Sequence, residues 1–385
     1  MTPTEVGYGR RTVPLLGIIA ILALTSCSVF APPTPTPAAP GTVAPGTVEP
    51  PYPTPPATGT VEPPYPTPPT AIPTGTEQRP YPTPTVTPTA TPPNVTFNPN
   101  WIVQVLCDGQ VFDGYTKKLF VLNSARDQDP NIQKVIRNCT FRNSAMAAIV
   151  LQNAKNVLIE GNTFENIRTR IAGDGVHAIN IPCPAGCAID NITIRNNVFK
   201  DIGADGVQIG QDTRNVTNVF IQNNEFSAQE GVGENGVDVK GAEGPIYITG
   251  NKMHGFRPCR SPKTTPPGIQ DCTGSSGPAI TIHDGGIIKT PAFNVIVENN
   301  ELYDNVYGLS ISAGAKNITV RGNRIFNNLQ MGIEVDQVYS LSISGNTLSG
   351  NPTHILLSKT PLSGGSCALT DNTFIGGVIN IKGGC

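Results

Sequence analysis

Residues 156–167 read NVLIEGNTFENI, and the phrase returns as NITIRNNVFKDI (191–202), NVFIQNNEFSAQ (218–229), PIYITGNKMHGF (245–256), NVIVENNELYDN (294–305), NITVRGNRIFNN (317–328) and SLSISGNTLSGN (340–351). Taking the apolar residue after each N-x dipeptide as a marker gives Phe141, Phe164, Phe199, Phe226, Met253, Leu302, Ile325, Leu348 and Phe374, in steps of 23, 35, 27, 27, 49, 23, 23 and 26 residues. Within each copy apolar residues alternate, which is the period of a strand, and no stretch sustains a helical period. Three short strands separated by Gly and Asn in a basic step of 23 residues are the arithmetic of a coil that stacks on itself every ~4.8 Å.

This organisation resembles the right-handed parallel β-helix proteins across residues 98–385. The fold expected is all-β, a single-stranded right-handed parallel β-helix solenoid of about nine to ten rungs. Asn162, Asn197, Asn224, Asn251, Asn300, Asn323, Asn346 and Asn372 fall at one corner and are expected to form a buried amide ladder that also takes the left-handed turn. The long steps mark insertions, one containing Pro182–Cys187 and the other Arg257–Pro278. Insertions in a solenoid fall in loops that frame a binding face.

The rest of the chain has another composition. Of its 38 prolines, 23 lie in residues 28–97, where GTVEPPYPTPP occurs at 46–56 and again at 59–69. Such a segment cannot offset its ordering entropy and reads as an extended stalk of about 200 Å at most. Residues 1–27 carry Arg10 and Arg11, an apolar run from Val13 to Leu24, and then Leu24-Thr25-Ser26-Cys27. That ending resembles the bacterial lipobox, which implies a diacylated Cys27 holding an exported chain to a membrane surface. An ordinary secretory signal cut near Ala31 is the alternative. Eight further cysteines suit disulfides in an oxidising compartment, with 183–187, 259–272 and 367–385 favoured by proximity and 107–139 remaining. A net charge of −2, the absence of a basic stripe and 6% aromatics exclude a nucleic-acid partner. A monomer is expected.

The third strand of each rung aligns on a Gly-apolar pair: DGVHAI (174–179), DGVQIG (205–210), NGVDVK (235–240), PAITIH (278–283), YGLSIS (307–312) and MGIEVD (331–336). Alternation places His177, Gln208, Asp238, Thr281, Ser310 and Glu334 in one outward column and Lys240, His283, Ser312 and Asp336 in a second. Asp174, Asp205 and Asn235 stand where the strands begin, as turn residues. Polar columns of mixed sign suit a groove for a polar polymer. They equally suit a solvated sheet face, with Asp238 and Lys240 as a simple ion pair.

The stretch 204–241, ADGVQIG…GENGVDVKG, resembles the core of a small family of secreted pectate lyases, which pair D-G-I with G-E-D-A-x-T-x-K-G one rung later. The resemblance implies β-elimination on an acidic, uronate-containing polysaccharide, with Asp205 and Glu234 as calcium ligands and Lys240 beside the scissile bond. Gly255-Phe256-Arg257-Pro258-Cys259 looks like that family's L-Y-R-S-C, which makes Arg257 its base. Asn235 stands where the family has a second acidic ligand. Asp238 is a further candidate ligand, and calcium would neutralise the uronate carboxylate. Lys240 is the more conventional base if its pKa is depressed, because a guanidinium stays protonated. A glycoside hydrolase would need two carboxylates; Asp238 with Glu334 or Asp336 lies three rungs apart, roughly 14 Å, against the ~5–9.5 Å required. A third class is a non-catalytic β-helix that binds carbohydrate or serves in adhesion or as a scaffold.

Overall fold

The computed structural model describes residues 98–168, 176–184, 186–210, 215–229, 231–258, 277–285, 289–382 and 385. Cys27, the proline-rich stalk, Asp174, and the Cys259–Cys272 pair with most of the 257–278 loop lie outside the described residues. Each turn of chain adds one strand to each of three parallel sheets, and each sheet has ten strands. The first sheet runs from Ile102–Asp108 to Ser366–Thr370, the second from Val111–Asp113 to Thr373–Ile375 and the third from Phe120–Leu122 to Val378–Lys382. The chain is a right-handed parallel β-helix, as its repeats imply. Among the described residues no helix is long and apolar enough to cross a membrane.

The interior follows from the repeat marker. Phe112, Phe141, Phe164, Phe199 and Phe226 stack face to face with successive ring centroids 5.3, 5.0, 4.7 and 4.4 Å apart. Met253, Leu302, Ile325, Leu348 and Phe374 continue that column in register. Disulfides Cys107–Cys139, Cys183–Cys187 and Cys367–Cys385 form as the spacing suggests.

The asparagine ladder is present from Asn162 to Asn372, and its chemistry is directional. The backbone N–H and Nδ2 of Asn197 both donate to Asn224 Oδ1 at 2.9 Å, while Nδ2 also donates to the Ile159 carbonyl at 3.0 Å. The next rungs repeat the arrangement through Asn251 and Asn300. The left-handed turn, however, falls on the preceding residue, as at Asn196, Asn223 and Asn299, each with positive φ. The two halves of the N-x dipeptide thus divide the labour expected of one residue. A second, shorter ladder joins Asn305, Asn328 and Asn351.

Gly206 also differs from its expected role in turn chemistry. Its missing Cβ points inward, where a carbon would lie 2.6 Å from Phe226 Cδ1 and 2.8 Å from the Gly236 carbonyl. The glycine makes room for the aromatic column and leaves Asp205 at the corner.

Outside, charges on the first two sheets alternate in sign from rung to rung. Arg137 meets Asp108 at 2.8 Å and Arg195 meets Glu160 at 2.6 Å on the first sheet. Arg142 meets Asp113 at 2.8 Å and Lys200 meets Glu165 at 2.8 Å on the second. Each pair is modest in energy, but together they neutralise both faces.

Replacing Asn224 with Ala orphans two buried donors of Asn197 and is expected to lower unfolding free energy by about 2–4 kcal/mol. Gly206→Ala should cost ~1–3 kcal/mol through overpacking against Phe226. At Gly345, where a Cβ would meet nothing within 4 Å but φ is +62, Ala should cost only about 1 kcal/mol. Denaturant unfolding of the three variants checks the order.

Candidate functional site

The third sheet interrupts this neutralisation. Its strands Asp205–Ile209, Asn235–Lys240 and Pro278–His283 lie side by side. Asp205 pairs in register with Asn235, Gln208 with Asp238, and Lys240 with His283. The middle column continues through Thr281, Ser310 and Glu334, as the alternation implied. Asp238 and Glu334 are separated by the three rung steps counted in the sequence, which leaves the two-carboxylate hydrolase pair too far apart.

One position in that column is corrected. Asn180, on the strand Ile179–Ile181, occupies the place opposite Gln208 that the alignment assigned to His177. The Gly-apolar marker slid by three residues because extra chain precedes this strand. His177 lies instead beside Asp205, its Nδ1 3.0 Å from Oδ2 and 3.3 Å from the Asp205 amide nitrogen.

Asp205 is wholly buried. Its Oδ1 accepts from Asn235 Nδ2 at 2.9 Å, and Asn235 Oδ1 accepts in turn from Thr281 Oγ1 at 2.8 Å. That chain across three rungs could be read only once the corner was known to face outward. Asp238, 2% exposed, offers Oδ2 to Lys240 Nζ at 2.8 Å and Oδ1 to His283 Nε2 at 3.1 Å. His283 Nδ1 lies 3.8 Å from Asp284 Oδ1, and Lys289 Nζ is 3.4 Å from Asp284 Oδ2. Glu234 stands exposed at the rim. The signal for His283 was already in the sequence, since the second column places it directly after Lys240.

Electrostatics mark the cluster as crowded with like charge. Burial and the neighbouring Asp238 carboxylate raise the pKa of Asp205, against the opposing pull of His177 and Asn235. Glu234 is raised by desolvation and by Asp205 and Asp238. The base role for Lys240 was conditional on a depressed pKa, and its pKa is instead raised. Burial acts to lower it, but the Asp238 contact and the nearby Asp205 and Glu234 outweigh that loss of solvation. In this arrangement Lys240 is a held cation.

Arg257 does not join the group. Its guanidinium pairs with Asp304 one rung on, and its carbonyl accepts from the Gly231 amide, which places it at the corner before the third sheet. Lys240 ends its six-residue strand on the far side, roughly 16 Å away at ~3.3 Å per residue. His254 is remote too, stacked on Tyr303 on the second sheet with ring centroids 4.9 Å apart. Asp205 lies one rung before Glu234 and Asp238. Its Oδ1 and both oxygens of Asp238 face nitrogen groups, whereas its Oδ2, 3.0 Å from His177 Nδ1, is buried without a hydrogen-bond partner among the described residues. Among the described residues no group of three His, Cys, Asp or Glu side chains is arranged to hold a metal ion.

The comparisons with known proteins bear on the fold. The family profile described as a right handed beta helix region matches residues 186–376. No curated protein matches the sequence. Among solved structures, the surface adhesin PfbA of Streptococcus pneumoniae is similar at 20% identity and a TM-score of 0.48, covering 64% of this chain and 61% of that one. The chain thus spans about three-fifths of the adhesin structure it matches. The mannuronan C-5 epimerase AlgE4 A-module of Azotobacter vinelandii is similar at 14% identity and a TM-score of 0.39, covering 71% of this chain and 78% of that one. The catalytic unit of a GH87 alpha-1,3-glucanase from Streptomyces thermodiastaticus follows at 14% identity and 0.34, covering 63% and 49%. The chemistry in these names belongs to those proteins.

A carboxyl whose folded pKa is raised stabilises fully below its ordinary value near 4 and loses that contribution as pH rises through the raised value. Asp108, Asp113 and Glu225 are held low by their cationic and amide partners and act in the opposite sense, losing theirs as pH falls through their depressed values. Thermal stability should therefore rise on acidification from neutral and fall again in strong acid. In Asp205→Asn the rise should shrink, by up to about 1.4 kcal/mol per pH unit. A profile parallel to the parent's would refute the raised Asp205 pKa.

Proposed function

We propose that this chain is an exported β-helix, anchored through a lipidated Cys27, that binds glycan on the outer face of its third sheet. The observation that carries the reading is the Asp205–Glu234–Asp238 group, three carboxyls with Lys240 as the one lysine paired to them, on a fold whose other two faces carry rung-by-rung ion pairs. Carboxylates held together against their own repulsion mark functional sites more often than structural ones. Three disulfides agree with export. The half-buried Thr281, Ser310 and Glu334 offer hydroxyls and acceptors in a row along the axis, with the exposed Glu234 at the corner beside them, which suits sugar hydroxyl groups. Because the balance of the face is acidic, a neutral, hydroxyl-rich glycan fits it better than a polyuronate.

Polysaccharide lyase action is the second reading, and the Lys240–Asp238–His283 triplet favours it. β-Elimination needs a cation beside the uronate carboxylate and a base for the C5 proton. Lys240, held charged by Asp238, fills the first role, and the His283 imidazole, oriented by Asp238, fills the second in place of Lys240 or Arg257.

Affinity electrophoresis of the full chain through neutral glycans, polygalacturonate and alginate separates the readings. Retention by neutral glycan, weakened about tenfold (~1.4 kcal/mol) in Glu234→Gln, is expected. Retention should be unchanged by chelator; loss with chelator would show a calcium site at Asp205, Glu234 and Asp238. Ultraviolet absorbance of an unsaturated product from a uronide, abolished in His283→Ala, would establish the lyase. No retention by any glycan would reject the binding proposal.

A further inference from the structure

Part of the first sheet's outer face is shut off from solvent. Strand alternation turns one column outward, from Val135 through Leu158, Thr193 and Phe220 to Ile296 and Thr319, while Ile136, Ile159 and Ile194 beside it point into the coil. An outward residue on a solvated face stays partly exposed, as Ile296 and Thr319 do with a rung on either side of each. Val135, Leu158, Thr193 and Phe220 instead retain only 3%, 5%, 1% and 8% of their exposure. Val135, Leu158 and Phe220 are no part of the interior cluster, so what buries them lies outside the coil. Thr193 Oγ1 is buried there without a hydrogen-bond partner among the described residues. A buried hydroxyl of that kind calls for a polar group above it.

We infer that this face is a docking groove for the chain's own residues 92–97, Pro-Pro-Asn-Val-Thr-Phe, laid as a strap from the second rung to the fifth. The chain arrives at this sheet and at neither of the others. Asn98–Trp101 forms a turn, with the Trp101 amide donating to the Asn98 carbonyl at 3.0 Å, directly ahead of the first-sheet strand Ile102–Asp108. Length agrees as well. Six residues in a proline-extended line at ~3.1 Å each reach about 19 Å, and the four rung steps from the first strand to Phe220 at ~4.8 Å come to about 19 Å. Val95 and Phe97 supply apolar side chains for Val135 and Leu158, while Pro92 and Pro93 hold the line extended with little entropy left to lose. An extended backbone also has free amide and carbonyl groups, one of which meets Thr193 Oγ1. Other segments outside the described residues fit worse. Residues 211–214 and 286–288 precede first-sheet strands, but so few residues cannot leave a corner, span three rungs of about 14 Å and return. Residues 169–175 and 259–276 join second-sheet to third-sheet strands, at a corner away from this face. Proline content set the domain boundary at residue 98, and it marks an extended segment without saying whether that segment is docked.

Hydroxyl-radical footprinting of the full chain tests the strap. In the parent, Val95 should be labelled several-fold less than Val48 and Val61, the same residue type in the two copies of GTVEPPYPTPP. In a chain carrying Val95→Asp with Phe97→Asp, labelling of Leu158 and Phe220 should rise several-fold. Interior Ile194 and Phe199 should stay protected in that chain, since the substitutions lie outside the coil. Val61→Asp should leave every one of these sites as in the parent. Labelling of Val95 equal to that of Val48 and Val61 would overturn the inference. So would continued protection of Leu158 and Phe220 in the doubly substituted chain, because the cover would then belong to another segment. Should Ile194 and Phe199 become labelled, the parent's Val95 comparison decides alone.

Discussion

Parallel stacking at ~4.8 Å brings every side chain to its own equivalent on the rungs above and below. For apolar residues the arrangement is favourable without further adjustment, and the phenylalanine column results. For amides it is favourable in one direction, donor to following acceptor, and the asparagine ladder results. For charges it is unfavourable unless sign alternates, and Asp108–Arg137, Glu160–Arg195, Asp113–Arg142 and Glu165–Lys200 show the alternation. One constraint therefore shapes core, corner and surface together.

The third sheet is where the constraint is resisted. Asp205 and Asp238 lie on adjacent rungs with Glu234 beside them, and the compensating groups are few: Lys240, His177 and His283, two of them histidines. A purely structural face could have relieved this with one Arg or Lys in the middle column, as the first two sheets do. The corner itself depends on Gly206, since any Cβ there would strike Phe226. The Asp205 carboxylate is thus set at a corner packed directly against the aromatic column.

How much of this is legible in the sequence depends on whether a feature repeats. The markers from Phe141 to Phe374 repeat, and rung count, inner column and ladder follow from them. The outward column could be read from Gln208 to Glu334, even across the 49-residue step, because Pro278–His283 resumes the alternation directly after the insertion. It slipped at His177 because an insertion displaced the Gly-apolar marker from the strand it was meant to begin. Arg257 was assigned as base through the likeness of residues 255–259 to L-Y-R-S-C, which carries no information on where the coil places it; the chain from Lys240 to Arg257 runs around to the corner before the next third-sheet strand. The direction of the Lys240 pKa shift was not legible because burial and the Asp238 contact oppose each other, and only the 2.8 Å geometry decides which prevails.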